Sequence, residues 1–177
     1  LATHVYGEHL GRWRDGVVLL DKLRAMPACA GDGDVARALD RHVATLRHAA
    51  GETDALAALA RDDQAAALAA AASALAGRHA FGRAIEAHAA ACMLAAAGFA
   101  AESPANRALA VAGNNLAAAL EDKPDRTRRE TQAMLDAAQS ALVHWRLAGT
   151  WMQEMWAHYR LARSRLQAGD AQGAAAS

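Results

Sequence analysis

Eight histidines, at positions 4, 9, 42, 48, 79, 88, 144 and 158, are the side chains best suited to chemistry in this chain of 177 residues. Imidazoles converging on one point hold zinc or iron, and one beside a nucleophile or carboxylate moves protons. Spacing decides between these uses. No His-Glu-x-x-His motif occurs, and on an α-helix neither His4 with His9 nor His42 with His48 shares a face well. His88 and Cys92, four residues apart, can share one, yet no second ligand pair completes a tetrahedral site. Glu154 and His158 have the spacing of a helix ion pair. Asp62-Asp63 and Glu121-Asp122 fall in apparent connections and read as solvated loop charges rather than paired acid–base carboxylates. Ser73, Ser103 and Ser140 lack a nucleophile-elbow context, and Gly31-Asp32-Gly33 lacks the strand and lysine of a phosphate loop. The expectation is no catalytic residue, no metal and no cofactor, hence no enzyme.

The elements that position these residues follow from composition. Alanine dominates an apolar fraction of 54%, aromatics are 5%, and there are only 3 prolines, at positions 27, 104 and 124. Alanine loses no side-chain entropy in a helix and lets helices approach closely, so the fold class is all-α. Nineteen basic and nineteen acidic side chains cancel, which disfavours nucleic acid as a partner. The apolar runs 65–72 and 89–101 are too short and too alanine-weighted to span a bilayer, and no signal segment opens the chain. Cys29 and Cys92 read as free, buried thiols of a reducing compartment, and scarce lysine beside abundant arginine and alanine points to a GC-rich bacterial genome. The expected location is cytoplasmic. The chain has no initial Met and stops within a helical pattern, as an ordered fragment would.

Periodicity and punctuation then divide the chain into about eight helices in one domain, 1–177. A first helix ends near Leu10, closed by Gly11. Trp13–Met26 carries the stripe Trp13, Val17, Leu20, Leu23 and stops at Pro27. Asp34 is placed to cap a helix over 35–50 with Leu39, Val43 and Leu46 inward, ended by Gly51. Residues 53–76 read as one long helix or two joined near Arg61. Helices over 79–97, 104–120 (opened by Ser103-Pro104), 127–147 and 150–167 follow. Gly11, Gly51, Gly77 and Gly169 are expected at helix ends in the left-handed conformation.

Small residues recur at fixed offsets within this pattern: Leu109-x2-Ala112-Gly113-x2-Leu116, Gly11-x-Trp13-x2-Gly16-x3-Leu20-x2-Leu23, Phe81-x2-Ala84-x3-His88-x2-Ala91, and Leu161-Ala162 followed by Gly169-Asp170 and Ala174. A small side chain is needed where two helices of a hairpin cross. On these motifs the chain resembles the tetratricopeptide-repeat superfamily over most of its length, in particular bacterial members, with a repeat of about 34 residues. The resemblance implies antiparallel helical hairpins stacked as a right-handed superhelix, with 51–76 as a degenerate unit.

That resemblance also implies a concave groove faced by the first helix of each hairpin. It places Arg107 and Asn114 there in one unit, and Trp156, Tyr159, Arg160 and Arg163 in the next. Asn114, directly after Gly113, resembles the asparagine that holds a peptide backbone in such repeats; Arg160 and Arg163 would meet carboxylates. The basic set is incomplete beside the carboxylate-clamp subfamily, so chaperone C-termini are not implied. For the rings Trp145, Trp151, Trp156 and Tyr159, packing between hairpins is the first expectation, and Trp156 and Tyr159 lining the groove the second. The expected function is a protein–protein interaction module that captures a peptide or protein segment. The rival is a small-molecule-binding sensor or enzyme accessory domain, and the aromatic end is also a candidate homodimer surface.

Overall fold

The computed structural model describes residues 1–29 and 31–177. Among them no strand occurs. A π-helix, Thr3–His9, precedes α1 (Trp13–Arg24), a short 3-10 turn (Pro27–Cys29), α2 (Asp34–Ala50), α3 (Arg61–Gly77), α4 (Phe81–Ala95), α5 (Pro104–Glu121), α6 (Arg128–Ala148), α7 (Trp151–Gln167) and α8 (Ala171–Ala175). No helix is long and apolar enough to cross a membrane among these residues.

Helix α3 is the centre. Residues 65–76 are buried throughout except Ala70, and all but Leu68, Ser73 and Leu75 are alanine. A helix apolar on every side must be enclosed, and α3 is: α2, α4, α5 and the π-helix all pack on it. Alanine methyls permit four neighbours because each keeps its own axis close. The main core runs from α3 through α4 and α5 to α6 and α7, with Leu109, Leu116, Leu120 and Met134 fully buried. A smaller cluster joins Leu20, Val43 and Leu46 with Trp13, Val17 and Leu39. Leu23, expected on that stripe, is instead 37% exposed.

Helix starts follow the capping residues. The Ser103 hydroxyl accepts from the Ala105 N–H with Pro104 in the first turn, and Thr127 with Glu130 and Thr150 with Gln153 form reciprocal capping boxes. Asp34 departs from expectation. Gly33 holds the cap position, and Asp34 lies inside α2, paired with Arg37. The ambiguous stretch resolves into turns up to Leu59 and a single helix from Arg61. Arg61 fixes that start by donating to Leu94 O (3.0 Å) and Gly98 O (2.7 Å), closing the carbonyl end of α4. Asp62 and Asp63 are not loop charges. They occupy the first turn of α3, where the helix dipole favours them; Asp63 pairs with Arg41 of α2, and Asp62 accepts from the Ser103 hydroxyl (3.2 Å).

Two glycines act by closeness rather than by conformation. A Cβ on Gly77 would meet Glu8 Cγ at 2.6 Å, so α3 and the π-helix touch there; the left-handed residue of this turn is His79 (φ 57°). A Cβ on Gly113 would run into the Ala137 carbonyl oxygen, with Ala141 Cβ at 3.0 Å. This is the α5–α6 crossing that the small-residue offset marks. Ala162 is only half-buried; on α7 the inward positions are Ala157, Leu161 and Ser164.

Gly113→Ala should therefore destabilise by about 1–3 kcal/mol through overpacking against backbone. Gly82→Ala in α4, where a Cβ meets nothing, should be neutral or stabilising by up to about 1 kcal/mol. Urea midpoints of the two variants check this, and equal midpoints would remove the crossing argument.

Candidate functional site

The residues marked by the repeat resemblance divide between separate surfaces. On α7, Thr150 sets the helix phase so that Ala157, Leu161 and Ser164 face inward. Trp151, Met152, Met155, Trp156, Tyr159 and Leu166 then face outward; Trp156 is 56% and Tyr159 54% exposed, with the two rings edge-to-face at 5.9 Å. Of the four rings, only Trp145 packs in the core.

Arg160 and Arg163 are held by their own chain. Arg160 Nη1 donates to Glu121 Oε2 at 2.6 Å, Arg163 pairs with the same oxygen through Nε at 2.9 Å, and the buried Ser164 hydroxyl donates to Oε1 at 2.7 Å. Glu121 is not a solvated loop charge. It ends α5 with a fully buried side chain. A carboxylate at a helix C-terminus opposes the dipole, and the two guanidinium groups offset that cost. The signal in the sequence was the Arg160-x-x-Arg163-Ser164 face itself, which selects a carboxylate; that the carboxylate is internal depends on how α7 docks against α5. Arg160→Ala should destabilise by about 1–3 kcal/mol, because it strips charge-assisted bonds from a buried carboxylate. Unchanged denaturation would contradict that coupling.

A trough of about 580 Å³ crosses the π-helix, α2, α3 and α5. Thr3, His4 and Glu8 contribute from the first, Arg41, His42 and Thr45 from α2, Ser73 from α3, and Arg107, Val111 and Asn115 from α5. Of the expected groove residues it holds Arg107, which is exposed, with its guanidinium 5.6 Å from the centre of the Trp145 ring. Asn115 rather than Asn114 lines it, and donates to the Ser73 hydroxyl at 3.3 Å. Asn114 Oδ1 is buried without a partner among the described residues, as is His42 Nδ1. The α7 residues Trp156, Tyr159, Arg160 and Arg163 do not line this trough.

The winding of the π-helix makes His4 and His9 share a face after all. Their helix is wound with i to i+5 bonding, as in Leu10 N–H to Val5 O, so residues five apart align. His9 Nε2 lies 2.9 Å from His4 Nε2, and His4 Nδ1 lies 2.6 Å from Glu8. Among the described residues, no group of three or more His, Cys, Asp or Glu side chains is arranged to hold a metal ion.

A second recess, about 650 Å³, opens between α4, α5 and α6. Its walls include Ile85, Ala89, Ala96, Phe99, Leu116 and Val143; its polar groups are Asn106, His88, Cys92, Ser140, His144, Asp136 and Gln139. Cys92 Sγ lies 3.4 Å from the Ser140 hydroxyl and 3.8 Å from His88. Burial raises the thiol pKa, so the sulfur is kept as a neutral thiol rather than an activated nucleophile. Burial and then His144 push the His88 pKa from 6.5 down to about 4, against an opposing pull from Asp136.

Comparison with known proteins finds no family model, no curated protein and no solved structure that matches the chain.

Between pH 6.5 and about 4 the unfolded chain binds a proton at His88 that the folded chain does not. Stability should therefore fall as pH drops through that window, by up to about 1.4 kcal/mol per pH unit from this group. His42, His48 and His144 are lowered in the same direction and add to the slope. His88→Gln should flatten it, as read from urea midpoints across that range; an unaltered slope would place the loss elsewhere.

Proposed function

We propose that the chain is a helical-repeat interaction module of the tetratricopeptide kind, which captures an extended peptide or protein segment. The observation that carries the reading is the trough running over the π-helix, α2, α3 and α5. In a right-handed stack of hairpins, α3/α4, α5/α6 and α7/α8 would be the pairs; of their first helices α3 and α5 contribute to the trough and α7 does not, the π-helix and α2 completing it. The packing of α3 on α5 and of α5 on α7 supports that arrangement.

Within the trough, Arg107 makes no ion pair among the described residues, so its donors are available to a carboxylate. Asn115 spends an amide N–H on Ser73, which leaves its carbonyl oxygen to accept from a peptide N–H. Val111 and Ala108 offer apolar contact between them. Arg160 and Arg163 have a poorer case as anion hooks, because a ligand carboxylate must displace Glu121. Trp156 and Tyr159 offer a separate apolar strip, suited to a partner's larger side chains or to a second copy of the chain. The mode is non-covalent capture, not catalysis.

An array of short peptides, probed with the native chain and with Arg107→Glu, tests the reading. Acidic segments should bind the native chain and lose roughly tenfold or more in affinity to the variant, the scale of a charge-assisted bond. Stability should change by no more than about 1 kcal/mol, the scale of an exposed cation–π contact. If no segment binds, or if both proteins bind the same segments equally, the trough is not the capture site.

A further inference from the structure

The recess between α4, α5 and α6 is separate from the trough, and the tautomer of one of its imidazoles, His144, is fixed by the protein. Asn106 is 1% exposed, and its Nδ2 donates to Ala100 O (2.9 Å) and Ala101 O (3.4 Å). Its amide is thereby oriented, so Oδ1 is the atom that faces His144 Nδ1 at 3.3 Å. An oxygen with no proton accepts, and His144 Nδ1 must carry the hydrogen. Burial lowers the His144 pKa, keeping the ring neutral, so Nε2 is a bare acceptor. No described residue hydrogen-bonds to Nε2, and His144 lines the recess.

The remaining charges narrow the ligand. His88 is 5% exposed and neutral above about pH 4, and the Cys92 thiol is neutral. Asp136 is the single formal charge among the lining residues; it is exposed and accepts from Gln132 Nε2 at 2.8 Å. An anion would thus meet no cation there and one carboxylate. The volume of about 650 Å³ suits a drug-sized molecule, and the walls are apolar with few, converging polar groups.

We propose that this recess binds an uncharged, largely apolar ring compound carrying one hydroxyl or N–H group, which donates to His144 Nε2. The ring system lies between Ile85, Phe99, Leu116 and Val143. Asn106 acts on the ligand through His144 by fixing its tautomer. This site does not rest on the groove reading, and either stands without the other.

Three fluorescent probes test it: 1-hydroxypyrene, 1-methoxypyrene and pyrene-1-carboxylate, titrated into the full chain and followed by anisotropy. 1-Hydroxypyrene should bind saturably, one per chain. The methoxy compound, which cannot donate, should bind about tenfold more weakly, the scale of one hydrogen bond to a buried acceptor. The carboxylate should bind more weakly than the hydroxy compound. Ala89→Trp, from an exposed position on the recess wall, should abolish binding without altering the melting temperature. His144→Phe should remove the hydroxy-over-methoxy preference. If that variant does not fold, the native His144 Nε2 resonance in 15N NMR should shift with 1-hydroxypyrene and not with 1-methoxypyrene. Absence of saturable binding, binding unaffected by Ala89→Trp, equal affinity for the hydroxy and methoxy probes, a carboxylate bound as tightly as the hydroxy compound, a preference that survives His144→Phe, or an Nε2 resonance that ignores the hydroxyl would each overturn the proposal.

Discussion

Close approach of helices through alanine and glycine is the constraint on which the rest of this structure depends. At α3 the enclosed positions carry methyl groups, and at the α5–α6 crossing even a methyl is excluded by the Ala137 carbonyl. Small contacts bring backbones together and gain dispersion over many atoms, but they leave no bulky side chains to fill wider gaps. Where axes diverge, space remains open. The recess between α4, α5 and α6 lies against Ala89, Ala95, Ala96 and Ala133, small residues that do not occupy it. The packing rule that builds the core thus also makes the cavity.

Arginine supplies the second layer of order. Lysine occurs only at positions 22 and 123, and the guanidinium groups close the carbonyl ends of helices. Arg83 donates to His48 O and Ala49 O at the end of α2, Arg61 to the end of α4, and Arg126 to Leu120 O, Glu121 O and Lys123 O at the end of α5. A planar fork with several donors can serve two or three carbonyls at once, which an ammonium on a flexible stem does less well. Arg160 and Arg163 belong to the same economy of internal use, applied to a carboxylate. The nominally neutral chain therefore keeps few cations free for a partner, and Arg107 gains significance by contrast.

Apart from Asp34, which lies inside α2 instead of capping it, local signals in the sequence were faithful where a single residue's own chemistry decides the outcome. Ser103-Pro104, Thr127 and Thr150 open helices as expected, and Gly11, Gly51 and Gly169 take positive φ. Signals failed where a distant neighbour decides. Gly77 is glycine because Glu8 lies against it, Asp63 is placed by Arg41, and Glu121 is buried because α7 delivers two arginines and a serine. Adjacent charged residues on either side of a turn look alike in a string whether they face water or a guanidinium. The π-helix is hidden in the sequence for a related reason: at about 3.6 residues per turn His4 and His9 diverge, whereas the wider winding aligns them. For the candidate sites, Arg107 was legible from the repeat offsets, while the recess was not, since Asn106, His88 and His144 meet only through the packing of three helices.

The outward tryptophans give the molecule an optical property of its own. Trp151 and Trp156 emit from water on α7, while Trp145 is enclosed and Trp13 half-covered. Indole emission shifts to shorter wavelength when water is withdrawn, so two of the four fluorophores already radiate near the unfolded value in the folded chain. Unfolding therefore shifts the light of only Trp145 and Trp13, while the other two stay where they were. Those other two report instead on whether something lies against α7.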